Sequence, residues 1–451
     1  MDRISGDMLI ARMERLPLSS FHYRLLVING IAWAFDAFDV GLITFIATAL
    51  NAAWHLSPTQ MGSLLSIGLV GMLVGAILSG TIADRWGRKA VFQITMLIFS
   101  VFSLACALAP NYTLLLVFRF LVGVGLGGET PVVTSLLSEF IPAKRRGNLQ
   151  GLLNSFWAVG WLAAALISYF IIPTLGWRWA FVAGALPAFF IFIIRRHLPE
   201  SPRWLINKGR VDEAGKIVDY IEKITAQKHT LQPVALNDIP SEVAATKQKV
   251  TLSTLFSKEY RKRTIMLWGV WFCAMFGYFG LFSWLPSLFV KAGHTMVKSF
   301  LYVLIMQIAY VPNQILSAFL MDKVGRKKLL VVNMLLAGAA VIPYGWALGH
   351  NVATSYIIVL GVITSLFVSA IMAIIYTYTP ELYPTGVRAS GVGAASSSSR
   401  VGSMLAPIVI GAGLASLGIS GVFMIIAGVF ILGAILVATL GPETKGVVLE
   451  D

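Results

Sequence analysis

Charged side chains lie inside apolar segments of this 451-residue sequence, where they are costly to place. Asp36 and Asp39 stand three residues apart in the first apolar segment, so on a helix they share one face. Burying an ionised carboxylate at the centre of a bilayer costs roughly several kcal/mol. A chain that carries two such groups there either uses them to bind and release a proton or neutralises them with a buried cation.

Three further ionisable residues occupy the interior of apolar segments: Arg119, Glu129 and Arg400. All histidines lie in loops or near segment ends, so a carboxylate is the group that would carry a proton. Glu129 lies about 15 Å along its helix from Arg119, nearer the level of Asp36. Two acid–base relationships in one half of the chain are typical of a proton relay, in which a changing Asp–Arg contact loads and releases the proton.

Arg400 lies in the eleventh apolar segment. The predicted apolar segments of the C-terminal half contain no Asp or Glu. A guanidinium in that situation suits an anionic substrate, whose carboxylate it can hold with two parallel hydrogen bonds. The alternative is structural, with the arginine satisfied by carbonyls and hydroxyls of its own helix bundle.

Polar and aromatic residues at helical spacing would hold a flat ring beside that arginine. Asn and Gln could serve a pyridine nitrogen or an amide, and Trp or Tyr could stack on the ring. Taken singly, each aromatic residue is also explained by packing, whereas lipid-facing Asn and Gln are costly. The candidate substrate-binding residues are Asn154, Trp157 and Trp161 on one stripe, Gln307, Tyr310 and Gln314 on another, and Tyr278 in the seventh segment.

The elements that must position these residues are transmembrane helices. The sequence is 57% hydrophobic and 12% charged, with a mean hydropathy of +0.78. Apolar runs of about 20 residues recur, and each can cross a hydrocarbon core of about 30 Å as a helix. We predict an all-α integral membrane protein with twelve spans: 25–50, 60–82, 90–109, 112–137, 149–171, 178–196, 264–290, 299–320, 329–348, 353–379, 390–415 and 420–440.

The net charge of +14 indicates membrane topology rather than nucleic-acid binding. Nearly all Lys and Arg lie in the termini or in even-numbered loops; the exceptions are Arg178, Lys291, Lys298, Arg119 and Arg400. Because positive loops stay in the cytoplasm, we expect both termini there.

Three motifs recur in the same order in both halves of the chain, after the second, fourth and sixth helix of each. We therefore predict two pseudo-symmetric six-helix halves, 1–196 and 264–451, joined by a cytoplasmic linker, 197–263, with short helices. The loop motifs would form an ion-paired cytoplasmic gate, although simple anchoring by positive charge is an alternative. Its members are Asp84, Arg85, Gly87, Arg88, Glu139 and Arg146 in the first half, and Asp322, Arg326, Glu381 and Arg388 in the second.

Other chemistries lack the residues that they need. There is no Gly-x-x-x-x-Gly-Lys-Ser/Thr loop for ATP, and we interpret the glycines within 123–128 as helix-packing positions. An intramembrane enzyme would need a nucleophile–base pair or metal ligands. Cys106 and Cys273 lie far apart in apolar segments and suggest no disulfide or metal site. A receptor would need a signalling domain, which we do not expect in either terminus. We expect no cofactor and no metal.

The loop motif 80–89 and its copy resemble the major facilitator superfamily, and 119–128 and 199–203 resemble its sugar-porter-related branch. Closer similarity, over nearly the whole chain, is to the bacterial niacin permeases. It is carried by 35–41, 127–129, 155–161 and 284–287.

That resemblance implies the major facilitator fold and uptake of nicotinate or a close relative with protons, in the bacterial cytoplasmic membrane. It also implies that the first and fourth spans touch. Asp39, rather than Asp36, matches the aspartate that pairs with the arginine of the fourth span, here Arg119.

Our hypothesis is a monomeric, proton-coupled transporter of nicotinate that works by alternating access in the lipid bilayer. Arg400 and the aromatic stripes would bind substrate, while Asp39, Arg119, Glu129 and Asp36 would couple protons. A permanently ionised Asp39–Arg119 pair, and packing roles for the other two acids, are the structural alternatives. Within transport, a sugar or polyol symporter and a hydroxybenzoate-type aromatic acid symporter remain open.

Overall fold

The computed structural model describes residues 2–228, 230–231, 252–350 and 352–445, whose regular structure is α-helical. The helices in this part of the chain are α1 (Asp2–Glu14), α2 (Ser20–Trp54), α3 (Pro58–Trp86), α4 (Arg88–Ala107), α5 (Tyr112–Phe140), α6 (Ala143–Leu175), α7 (Trp177–Gly184), α8 (Pro187–His197), α9 (Pro202–Asn207), α10 (Val211–Ala226), α11 (Leu252–Leu255), α12 (Arg261–Phe282), α13 (Leu285–Lys291), α14 (Met296–Val324), α15 (Arg326–Gly349), α16 (Thr354–Glu381), α17 (Thr385–Ser416) and α18 (Gly418–Leu440).

Eleven helices of the described residues are long and apolar enough to span a membrane, namely α2 to α6, α12 and α14 to α18. The all-α membrane fold predicted from the sequence is therefore confirmed. The longest of these helices, α2, has 35 residues and a length of about 52 Å, so it extends beyond a hydrocarbon core of about 30 Å.

Two predicted spans are broken, which corrects the sequence prediction. The sixth, 178–196, is divided into α7 and α8, and its apolar part runs only from Trp177 to Ile191. Pro187 opens α8, since proline has no N–H to continue the preceding helix. The seventh, 264–290, ends at Phe282 and resumes as α13 with Pro286 in its first turn.

Glycines let α5 pack closely between α3 and α4. A Cβ on Gly125 would lie 2.7 Å from the backbone nitrogen of Phe99 in α4, and a Cβ on Gly127 would collide with the backbone of Met72 in α3. Gly75 of α3 meets the backbone of α5 in the same way. The packing interpretation of the glycines in 123–128 is therefore confirmed, and their close approach fixes how α5 presents its charged residues.

Helix α1 is a helix that the sequence analysis did not predict, since it lies before the first predicted span. It packs on α10, with Leu9 and Met13 in a buried apolar cluster that includes Val218 and Ile221. Helices α9, α10 and α11 are short helices of the kind expected in the linker, while residues 232–251 of the predicted linker lie outside the described residues.

Charged residues reinforce the packing of α1 on α10. Arg12 contacts Glu222 at 2.5 Å and Asp219 at 2.6 Å, and Arg15 contacts Glu222 at 2.7 Å. Partial burial opposes ionisation of Glu222, but the hydrogen bonds from both arginines outweigh it and hold its pKa below the usual value.

The helices form two compact units. The first comprises Met1–Val40, Val70–Ala163 and Arg178–Thr246, and the second comprises Gly41–Leu69, Ala164–Trp177 and Lys247–Asp451. The division into halves at residues 196 and 264 stays a prediction.

Candidate functional site

The first unit buries an ion pair between α2 and α5. Arg119 Nη1 donates to both carboxylate oxygens of Asp39, at 3.0 and 2.9 Å, and the side chains are 3% and 0% exposed. The guanidinium also lies over the ring of Phe181, 5.9 Å from its centroid. The structure thus joins the two residues that we singled out as partners. The hydrogen bonds compensate the buried charge of the aspartate.

Asp36 and Glu129 form a second buried acidic group in the same unit. Both side chains are 0% exposed, and the two carboxyl groups are close enough to interact electrostatically. Neither oxygen of Glu129 has a hydrogen-bond partner among the described residues. Because two adjacent carboxylates repel each other in a medium of low dielectric constant, the group is suited to hold a proton.

Helix α6 brings the first polar and aromatic stripe against α2. Gly160 lies against the backbone of Ala34, so the two helices approach closely. Trp157 packs on Trp33 with ring centroids 6.0 Å apart, Trp161 is buried, and Asn154 is half-buried. The stripe therefore lies beside the part of α2 that carries the two aspartates.

The second unit contains a cluster of tyrosines next to Arg400. The ring of Tyr310 in α14 lies 6.2 Å from that of Tyr278 in α12, and Gln314 bonds to the Tyr310 hydroxyl. Tyr376 of α16 interacts electrostatically with both Tyr310 and Arg400. These contacts connect Arg400, Tyr278, Tyr310 and Gln314, which we predicted to bind substrate in the C-terminal half, and no contact of the fifth candidate, Gln307, is among them.

Tyr376 is a candidate that the sequence interpretation missed. The residue is 48% exposed, and its side chain interacts electrostatically with Arg400. Trp271 packs edge-on against it, at 4.8 Å between ring centroids, and is held by a 2.8 Å hydrogen bond to Thr379. Tyr376 stands outside both sequence stripes, so periodicity gave no signal for it.

Helix α17 positions Arg400 by packing on α12. Ser398 donates to the carbonyl oxygen of Trp268 at 2.7 Å, and a Cβ on Gly402 would lie 2.5 Å from the carbonyl oxygen of Phe272. These contacts place residues 398 and 402 against α12. Arg400, midway between them on a helix with 3.6 residues per turn, therefore points away from α12.

The gate motifs build one charge network in each unit. Arg88 contacts Asp84 at 2.9 Å and Glu139 at 3.2 Å. Arg326 repeats this with Asp322 at 3.0 Å and Glu381 at 3.1 Å. Gly87, with a φ of +98°, forms the tight turn before α4.

Each network includes a glutamate to which the sequence interpretation gave no role. Glu200 accepts from the backbone nitrogen of Arg88 at 2.9 Å, and Glu443 accepts from that of Arg326 at 2.8 Å. Both carboxylates therefore cap a helix N-terminus. Burial opposes ionisation of Glu443, but backbone N–H groups, that of Arg326 first, hold its pKa below the usual range.

The remaining gate candidates lie apart from these networks. Arg146 approaches Glu14 of α1 at 3.4 Å, and Arg388 donates to the carbonyl oxygens of Pro380 and Tyr383 at 3.0 and 3.1 Å. Arg85 is exposed. In the described part of the chain, no three His, Cys, Asp or Glu residues are grouped so that they could hold a metal ion.

Comparison with known proteins matches residues 18–451 to the family model "Sugar (and other) transporter". The niacin transporter NiaP of Acinetobacter baylyi is 46% identical over 98% of this chain and 99% of its own length. A putative niacin/nicotinamide transporter NiaP of Bacillus subtilis is 38% identical over 95% of this chain and 98% of its own.

A partially occluded, inward-open structure of the xylose transporter XylE from E. coli superposes with a TM-score of 0.75 at 19% identity. The alignment covers 96% of this chain and 100% of that one.

Proposed function

Because this chain belongs to the sugar (and other) transporter family, a family of multi-pass membrane proteins, we propose that it takes up nicotinate by proton symport. The observation that carries this proposal is the placement of Arg400 beside a tyrosine cluster inside the second unit. The names of the two NiaP relatives support nicotinate as the particular substrate.

Nicotinate matches the chemistry of this cluster. Its carboxylate is the partner that a half-buried guanidinium such as that of Arg400 can hold with two hydrogen bonds in one plane. Its flat ring would lie among Tyr278, Tyr310 and Tyr376, whose faces and edges offer favourable stacking geometries. Trp157, Trp161, Asn154, Gln307 and Gln314 are the further residues that we propose as substrate contacts.

Proton coupling would divide between the two acidic groups of the first unit. Asp39 is ion-paired with Arg119, whereas Asp36 and Glu129 are two buried acids that repel each other when both are ionised. In the conformation described here, the proton would therefore reside on the Asp36–Glu129 group. If the Asp39–Arg119 contact changed during the cycle, Asp39 would lose its compensating charge. The proton could then move between the Asp36–Glu129 group and Asp39.

The networks of Arg88 and Arg326 are the proposed cytoplasmic gate, which would open and close during alternating access. The protein would act as a monomer in the bacterial cytoplasmic membrane, with both termini in the cytoplasm, as the distribution of Lys and Arg indicates. A hydroxybenzoate-type acid is the second candidate substrate, because it offers the same carboxylate and ring to Arg400 and the tyrosines.

Counterflow of labelled nicotinate in proteoliposomes tests the transport proposal. We expect exchange that a proton gradient accelerates, with nicotinamide and glucose competing much less than nicotinate. Replacing Arg400 by Ala should weaken nicotinate binding by about two orders of magnitude and leave the weak nicotinamide binding unchanged. Full nicotinate binding by this variant would show that the carboxylate is held elsewhere.

A further inference from the structure

One buried amide nitrogen near the tyrosine cluster has no hydrogen-bond partner among the described residues. The amide nitrogen of Gln307, on α14, has no hydrogen-bond acceptor among the described residues, and the side chain is 3% exposed. A buried donor left without an acceptor costs about 1–3 kcal/mol, and native structures keep few of them. The other amides of this stretch are satisfied, since Asn313 donates to Leu366 and Ser369 and Gln314 bonds to Tyr310.

Gln307 lies on the same face of α14 as Tyr310, one turn away. The ring of Tyr310 is 6.2 Å from the rings of both Tyr278 and Phe282. The Gln307 amide is therefore on the helix face that carries Tyr310, one turn from the aromatic cluster of Tyr278, Phe282 and Tyr310.

Gln307 also lies at the same depth as Arg400. Successive spans alternate in direction, so the start of α12, the end of α14 and the start of α17 lie on one side of the membrane. Measured from those ends, Tyr278 and Gln307 are about 25 Å deep and Arg400 is about 22 Å deep. The second unit thus presents a guanidinium, aromatic rings and an unpaired amide donor at one level.

We propose that Gln307 is the residue that recognises the ring nitrogen of the substrate, which rests on the proposed transport of nicotinate. The amide N–H of Gln307 donates to the in-plane lone pair of the pyridine nitrogen while Arg400 holds the carboxylate. Benzoate has the same carboxylate and ring shape but presents a C–H at that position. A site with a buried donor rejects such an analogue because the donor stays unpaired.

The first measurement uses the unmodified protein, reconstituted in lipid, and competition against labelled nicotinate. We expect benzoate to bind at least tenfold more weakly than nicotinate. Equal affinity of the two acids would overturn the assignment of Gln307, while the transport of nicotinate would still stand. If nicotinate itself does not bind, the proposed function fails instead.

The second measurement compares two variants of the same helix. Gln307→Met should lower nicotinate affinity about tenfold and leave benzoate binding as it is, so that the preference disappears. Asn313→Leu is the control on the same helix, because the Asn313 amide donates to Leu366 and Ser369 and is not among the proposed substrate contacts, so this variant should keep the preference. Retained benzoate binding reports that Gln307→Met is folded. An unchanged preference in that variant would contradict the proposal, and if it does not fold, the comparison on the unmodified protein decides.

Discussion

Asp39 and Glu129 are both completely buried acids, yet their surroundings are opposite. Asp39 accepts two hydrogen bonds from Arg119, whereas Glu129 has no hydrogen-bond partner in the described part of the chain and faces the field of Asp36. A cation lies beside the carboxylate at the first position, and another acid lies near it at the second. The same substitution, acid to amide, should therefore have opposite consequences.

Asp39→Asn should destabilise the protein strongly. It leaves the Arg119 guanidinium buried without a counter-charge, and removal of one partner of a buried pair costs about 3–5 kcal/mol. Thermal unfolding in detergent should show a clearly lowered midpoint and uptake should no longer respond to a pH gradient.

Glu129→Gln is the matched control for that substitution, because neither oxygen of Glu129 has a hydrogen-bond partner among the described residues. We expect its unfolding midpoint to be unchanged or raised, with the coupling of uptake to pH lost. A midpoint that falls as far as in Asp39→Asn would mean that Glu129 is ionised and paired in the folded protein.

The identities of these residues could be predicted from the sequence, and the family resemblance indicated that Asp39 pairs with Arg119. The sequence did not show that Glu129 lies fully buried without a hydrogen-bond partner among the described residues. Helical rise placed Glu129 nearer the level of Asp36 than of Arg119, because depth follows from counting residues. Tyr376 could not be found in this way. Its place beside Arg400 depends on how α16 packs in the bundle, which no periodicity within one helix records.

At the scale of the helix, the packing of α5 depends on glycines, which have no side chain to hold the neighbouring helices apart. Gly127→Ala should separate α5 from α3, since the added methyl group would meet the Met72 backbone, which cannot yield like a flexible side chain. We expect a loss of stability of about 1–3 kcal/mol and reduced transport. Gly151→Ala in α6 is the control, because its Cβ would have no neighbour within 4 Å and alanine favours the helix. Equal effects of the two substitutions on the unfolding midpoint would contradict this account.

The attachment of α1 to α10 should depend on pH. Because the pKa of Glu222 is lower in the folded state, its contribution is present above the ordinary value of 4.5 and is lost as the pH falls through the folded value. Hydrogen exchange in α1, corrected for intrinsic rates, should therefore stay slow from pH 7 to 5 and rise below that range.

Two variants of α10 separate the contribution of Glu222 from general acid effects. Glu222→Gln should speed exchange in α1 at pH 7 and flatten its pH dependence. Glu213→Gln removes a half-exposed acid of the same helix that pairs with Arg210, and it should leave α1 unaffected. Identical exchange in the two variants would rule out the proposed attachment.

For the whole molecule, apolar length was enough to predict the membrane fold, since every span must bury its backbone polar groups in a helix. The breaks at Pro187 and at residues 283–284 were not predicted, because a hydropathy pattern does not register a local interruption. Helix α1 was missed because it has few apolar residues, and these become buried only through their packing on α10.

The expected orientation can be tested with cysteines introduced into exposed positions. Lys291→Cys should react with an impermeant maleimide on intact cells, and Lys208→Cys only after the membrane is opened. The native Cys106 and Cys273 are 0% and 1% exposed, so they should give little background. The reverse pattern of labelling would invert the proposed topology.

The helix caps formed by Glu200 and Glu443 have a consequence for synthesis on the ribosome. Each glutamate comes after the last span of its predicted half, yet it binds the amides at the start of the third span, well over a hundred residues earlier in the chain. Each half therefore becomes a closed loop only when its final turn has been translated. If the two halves arose by duplication of one six-helix unit, that unit would already have contained the glutamate–amide contact that joins its end to its third span, and duplication would not have required a new contact.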